Sequence, residues 1–255
     1  MDLSLKEGFI ERWNRFFPGA DLPIAIIYTD REPVAEKEES EVTDRCMIGN
    51  LMRVIEGKPF VYEKSTAGCP GGKRYSGFVQ KLRPDFRHFL SCGIPGKMEG
   101  ERYKESPELV DRFMETQPPF EAPGKYVVFK RWDQLEAGDE PCIVVFFARP
   151  DVLSGLFTLA NFDWETPYGV VAPMGAGCAT IIGYPLREAQ SEKPRCVLGM
   201  FDVSARPSVA ANTLSFAIPF KRFETLVSQM DESFLITGSW EKVTTRWSGE
   251  SGVGN

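Results

Sequence analysis

The run from Cys142 to Ala148, Cys-Ile-Val-Val-Phe-Phe-Ala, is apolar throughout and shows no alternation between a wet and a dry face. A strand of that kind is covered on both sides, so the chain has to supply helices for two faces of one sheet. Short apolar runs and amphipathic patterns interleave along the rest of the sequence with short connections. This predicts a mixed α/β (α+β) fold in which a mixed sheet is flanked by helices. Several neighbouring strand patterns have no helical pattern between them, which requires antiparallel pairing. At 255 residues, with 42% hydrophobic and 26% charged residues, the chain has enough apolar material for a substantial core. We expect one globular domain over residues 1–247 and a frayed glycine- and serine-rich tail over residues 248–255.

Phe9, Trp13, Phe16 and Phe17 recur at helical spacing and predict an opening helix over residues 4–17, with Ser4 as its cap and Pro18-Gly19 as its stop. Met47, Ile48, Leu51, Met52 and Ile55 mark a second helix, ending at Gly57. Ser106-Pro107 starts another, and residues 151–159, 179–186 and 220–230 carry further helical patterns. A last short helix is expected at residues 239–243. Strands are predicted at residues 22–29, 60–62, 125–132, 142–148 and 214–220. The acidic stretch over residues 32–41 reads as a solvated loop, Ser91 to Gly96 is a second loop, and residues 75–90 have no clean period.

A net charge of −6 argues against a nucleic-acid surface, which normally carries a basic stripe. No apolar run reaches the length of a membrane helix, and charged residues interrupt the apolar ones near the start, unlike a signal peptide. These features predict a cytoplasmic protein. There the six cysteines are expected to be reduced, catalytic or metal-bound rather than paired. His88 is the single histidine, so mixed Cys/His zinc sites are nearly excluded.

The cysteines divide by context. Cys142 and Cys196 lie in apolar strand patterns and read as core. Cys46 and Cys178 fall at predicted helix starts, Cys92 sits in a loop, and Cys69 begins Cys-Pro-Gly-Gly-Lys-Arg-Tyr. Pro70 at a first helical position leaves the Cys69 sulfur beside free amides, and Gly71 and Gly72 allow close backbone approach to a bound group. Lys73 and Arg74 add two cations expected to favour thiolate. Gly175 and Gly177 make a comparable approach to Cys178, without the spacing of a dinucleotide or phosphate-binding loop.

Cys46, the sequence Cys-Pro-Gly-Gly-Lys-Arg-Tyr-Ser-Gly-Phe over residues 69–78, the strand-helix pair over residues 143–159 and Ala-Gly-Cys-Ala over residues 176–179 together resemble the prokaryotic family called domain of unknown function 169. The segment from Asp202 to Pro207 and Ile218-Pro219-Phe220 extend the likeness. The resemblance implies a single intracellular domain with cysteines at the positions of Cys46, Cys69 and Cys178, and leaves its chemistry open.

Four cysteines at helix starts or loops match the ligand count of a 4Fe-4S cluster or a structural zinc. Helix amino ends favour the cluster, because their amides donate to its negatively charged sulfurs. The first expectation is therefore an iron-sulfur protein, with Cys46, Cys69 and Cys178 as ligands, Cys92 as a fourth, and a small-molecule substrate or redox partner. Alternatives are a metal-free thiol enzyme with Cys69 as nucleophile, and an anion-binding module in which the cysteines are incidental.

Overall fold

The computed structural model describes residues 1–33, 36–37, 46–65, 69–117 and 119–250. In chain order its principal elements are α1 (Leu3–Phe16), β1 (Ile24–Thr29), β2 (Glu36–Lys37), α2 (Met47–Ile55), β3 (Phe60–Glu63), α3 (Pro70–Tyr75), α4 (Phe86–Phe89) and α5 (Pro107–Glu115). There follow β4 (Tyr126–Arg131), β5 (Pro141–Ala148), α6 (Pro150–Ala160), β6 (Val170–Val171), a π-helical turn (Ala179–Gly183) running into α7 (Tyr184–Glu188), β7 (Cys196–Gly199), β8 (Leu214–Pro219), α8 (Phe220–Gln229) and α9 (Gly238–Glu250).

Among the described residues the strands form one eight-stranded sheet, ordered β2-β3-β4-β1-β5-β8-β7-β6. Its six central strands pair antiparallel, and β2 and β6 join the two edges in parallel. The pleat sends alternate residues to opposite faces. Ala25, Val144, Phe146, Phe216 and Ile218 point to one face, where α1, α6, α8 and α9 cover them. Ile24, Ile26, Ile143, Val145 and Ala217 point to the other, under α2, the π-helical turn and Phe78. The all-apolar β5 thus has a core on each side, as its sequence requires.

The first face is aromatic. Trp13 stacks on Phe17 with ring centroids 4.2 Å apart and meets Phe146 at 4.8 Å. Each buried indole N–H in this layer finds an acceptor: Trp13 donates to the Ala20 carbonyl, Trp132 to Lys6 and Trp240 to Phe16, and Trp247 donates to the Asp151 carboxylate. This is how so much tryptophan is buried without stranding a polar atom.

Several boundaries differ from expectation. Asp2, not Ser4, caps α1, its carboxylate accepting from the Ser4 amide at 2.8 Å. A carboxylate one turn earlier outcompetes the hydroxyl because it is acceptor-only and charged. The acidic stretch contains β2 at Glu36–Lys37 where a loop is expected, and residues 34, 35 and 38–45 lie outside the described residues. The final helix runs from Gly238 to Glu250, well past residue 243, because Trp240 and Trp247 both reach the core. Its extension includes residues 248–250 of the predicted tail, and residues 251–255 lie outside the described residues. The aperiodic stretch over residues 75–90 resolves into the end of α3, a loop and the four-residue α4, which carries His88.

Candidate functional site

Cys69 stands at the amino end of α3 with φ −52° and ψ 118°, outside the helical range, so its sulfur turns back over the first turn and accepts from the Gly72 amide at 3.5 Å. Pro70 follows at the position where a missing N–H costs nothing. The Tyr62 hydroxyl, on β3, donates to the Cys69 carbonyl at 3.0 Å and fixes the turn to the sheet. Gly72 is tightly packed: a Cβ there would lie 3.3 Å from both the Met47 Cβ and the Tyr62 hydroxyl, so these would have to give by a few tenths of an ångström. That contact brings α3 against the start of α2.

Cys46 is the residue at the amino end of α2, and its carbonyl accepts from the Gly49 amide at 2.9 Å. Its thiol donates to the Cys69 sulfur. Cys178 opens the third helical run, directly before the π-helical turn, and is 5% exposed. Turns of that kind occur often at functional sites. Asp202 fastens this end, its carboxylate accepting from the Gly177 amide at 3.1 Å and from Ser204. Gly177 is pressed against Met200 and Ile48, so the third run also abuts α2.

The electrostatics follow from this arrangement. The Cys46 thiol, and then the amides of Gly72, Met47 and Gly71, hold the Cys69 thiol down to about 5 in spite of its burial. The same hydrogen bond, with burial and the charge of Cys178 behind it, pushes Cys46 far up. Burial, then the charges of Cys69 and Asp202, raises Cys178. The site is one thiolate with a thiol donating to it and a second thiol close enough to feel its charge.

Of the four predicted sulfurs, Cys46 and Cys69 are direct neighbours and Cys178 lies near enough to feel their charge. Cys92 is exposed, and its thiol contacts the Gly93 carbonyl at 3.5 Å and lies 4.0 Å from the Ser91 hydroxyl. Further along, Tyr103 reaches the rim, its hydroxyl donating to Asp202 at 3.5 Å and accepting from the Ser204 amide. The two predicted cations turn elsewhere: Lys73 Nζ donates to the Lys64 carbonyl at 3.3 Å and Arg74 to the Gln80 carbonyl. Backbone amides and a neighbouring thiol replace them as the groups that lower Cys69. Gly71 faces the sulfur, a Cβ there lying 3.7 Å from Cys69 Sγ, whereas Gly175 packs on the Tyr184 ring. Tyr62 belongs to this neighbourhood without being marked by any sequence pattern, and Asp202 and Tyr75 come from segments quoted for the family likeness without a role, since nothing local marks a residue that acts across the chain.

Among the described residues no group of three or more His, Cys, Asp or Glu side chains stands ready to hold a metal ion. The sulfurs are neighbours rather than a closed cage. A cubane cluster asks for something different from a single ion, because each ligand sulfur binds a separate iron. Three thiols and the surrounding N–H donors are a fitting donor set for it.

The family model of DUF169, described as uncharacterised ArCR, matches residues 20–229. The chain belongs to this family. The matched DUF169 span runs from just before β1 to the end of α8, so it contains the whole sheet and all three site cysteines. No curated protein and no solved structure matches the chain. Among the described residues no helix is long and apolar enough to cross a membrane.

Two outcomes follow from the DUF169 site alone. In metal-free protein, iodoacetamide is expected to modify Cys69 ahead of Cys142 and Cys196, which burial pushes up to about 12. The Cys69 rate should already be level above roughly pH 6, and in Cys46→Ala that plateau should move to higher pH, because the strongest stabiliser of the thiolate is gone. Peptide mapping of the alkylated protein across pH reads both. Separately, Cys196→Ala is expected to lower stability by about 1–3 kcal/mol in a urea titration, because it empties the space of a fully buried sulfur and takes a contact from the buried Arg222 guanidinium.

Proposed function

We propose that this protein binds a 4Fe-4S cluster through Cys46, Cys69 and Cys178. What supports the reading is the placement of three cysteines, distant in sequence, at the starts of three helical runs, each near enough to another to feel its charge. Free amides there already stabilise negative charge on sulfur, and a cluster with thiolate ligands is an anion. Binding requires the Cys46 and Cys178 protons to leave and the Cys46 and Cys69 sulfurs to turn apart so that each takes its own iron. With three protein ligands the fourth iron is open to a small substrate or an outside ligand. The cluster fits a reducing compartment, and we place the protein in the cytoplasm.

Anaerobic reconstitution with iron and sulfide tests this. The expected result is a brown protein with a broad visible band and about four irons per chain, the cubane stoichiometry. A colourless, iron-free protein after that treatment would end the proposal.

The hydrogen-bonded Cys46–Cys69 pair favours a second reading, metal-free thiol chemistry. Cys69 is the nucleophile there, and the Cys46 thiol stabilises its charge. Saturating alkylation of Cys69 without loss of any turnover found for the protein would exclude it.

A further inference from the structure

Beside the cysteines lies a cleft with a cavity volume of about 20 Å³, lined by Arg74, Tyr75, Gln117, Phe120, Tyr184 and Arg187. Ala179, the residue after Cys178, also forms part of its wall. Two features are unusual. Gln117 is 6% exposed and its Nε2 has no hydrogen-bond partner, and the buried Nε of Arg74 has none either. Buried N–H groups left without an acceptor are costly and uncommon, so their presence asks for a missing acceptor. The second feature is charge. Among the described residues that line the cleft there are two guanidinium groups and neither Asp nor Glu. The Tyr184 hydroxyl is turned toward Met174, donating to its carbonyl at 2.9 Å.

We propose that this cleft binds the carboxylate of a small ligand. A carboxylate is acceptor-only, suits a cleft lined by guanidinium groups without a carboxylate of its own, and presents planar oxygens that can accept from the buried Gln117 and Arg74 N–H groups. The cavity holds a water-sized group, which fits one carboxylate oxygen while the remainder of the ligand lies toward the mouth. Pro119 and Phe120 on the wall exclude water from the ion pair and strengthen it. Tyr75 joins this cleft to the cysteines: burial raises its hydroxyl to about 12, and Arg74 and Tyr184 act on it together with Cys178 and Asp202. The carboxylate site stands whether or not a cluster is present.

The test is titration of acetate, formate and inorganic phosphate into the full chain, once metal-free and once after reconstitution, followed by calorimetry. Saturable one-to-one acetate or formate binding is expected in both preparations. Gln117→Glu, nearly isosteric and negatively charged, should weaken it roughly tenfold or more, equivalent to about 1.4 kcal/mol. Arg187→Met should do the same and serves if the first variant does not fold. Arg246→Gln, which removes a cation paired with Asp151 on the opposite face of the sheet, should leave it within twofold. No saturable carboxylate binding, tighter binding of phosphate than of acetate, or equal weakening by Arg246→Gln would overturn the proposal. Failure to take up iron with carboxylate binding intact would count against the cluster alone.

Discussion

Cys69→Ser is expected to abolish cluster assembly, leaving a colourless protein with less than about a tenth of the iron of the parent after anaerobic reconstitution. The expectation rests on what converges at that sulfur. Amides from Gly72, Met47 and Gly71 and the Cys46 thiol all stabilise its charged form. A serine hydroxyl at this position stays protonated at neutral pH, so the one pre-formed anionic ligand is lost. Cys178→Ser should also lose most of the iron, whereas Cys92→Ser should retain it, since that exposed thiol lies outside the group. Iron and sulfide assays on the three variants, with circular dichroism to show that each is folded, separate the outcomes. Full iron in Cys69→Ser would remove these residues as the ligand set.

Trp13→Ala is expected to be the most destabilising single truncation in the aromatic layer, costing about 3–5 kcal/mol. Trp13 is 1% exposed and touches Phe9, Phe17 and Phe146, and its indole N–H closes on the Ala20 carbonyl. Truncation removes the contacts, leaves a cavity bounded by rigid rings that cannot easily fill it, and strands a carbonyl. For a domain of this size the loss corresponds to a fall of about 10 °C in Tm. A thermal shift under about 3 °C would show that the layer repacks more freely than its geometry implies. Because Trp13 lies across the sheet from the cysteines, alkylation of Cys69 below the transition should be unchanged.

The sequence makes the layered plan readable because β5 is apolar at every position and so demands cover on both faces, and because Phe9, Trp13 and Phe16 keep a helical period. Strand order was beyond it: nothing local says that β1 lies between β4 and β5, since pairing is decided by how the helices close over the finished sheet. The cysteines follow the same division. Helix-start signals such as Pro70 after Cys69 place each sulfur at the tip of an element, whereas the closeness of those tips depends on how the elements pack, which no local signal states. The cations did not follow. Lys73 and Arg74 are adjacent to Cys69 in sequence, yet a helical turn carries their side chains away to the carbonyls of Lys64 and Gln80. The amide of Met47 reaches Cys69 instead, from an element that sequence inspection treats separately.

The central position of β1 has a consequence for synthesis. Ile24 is among the first residues of the sheet to leave the ribosome, but its neighbours are Arg131 on one side and Val145 on the other. The amino-terminal half of the nascent chain therefore carries an apolar strand without its sheet neighbours until more than a hundred further residues are made, the kind of long-range pairing that slows folding.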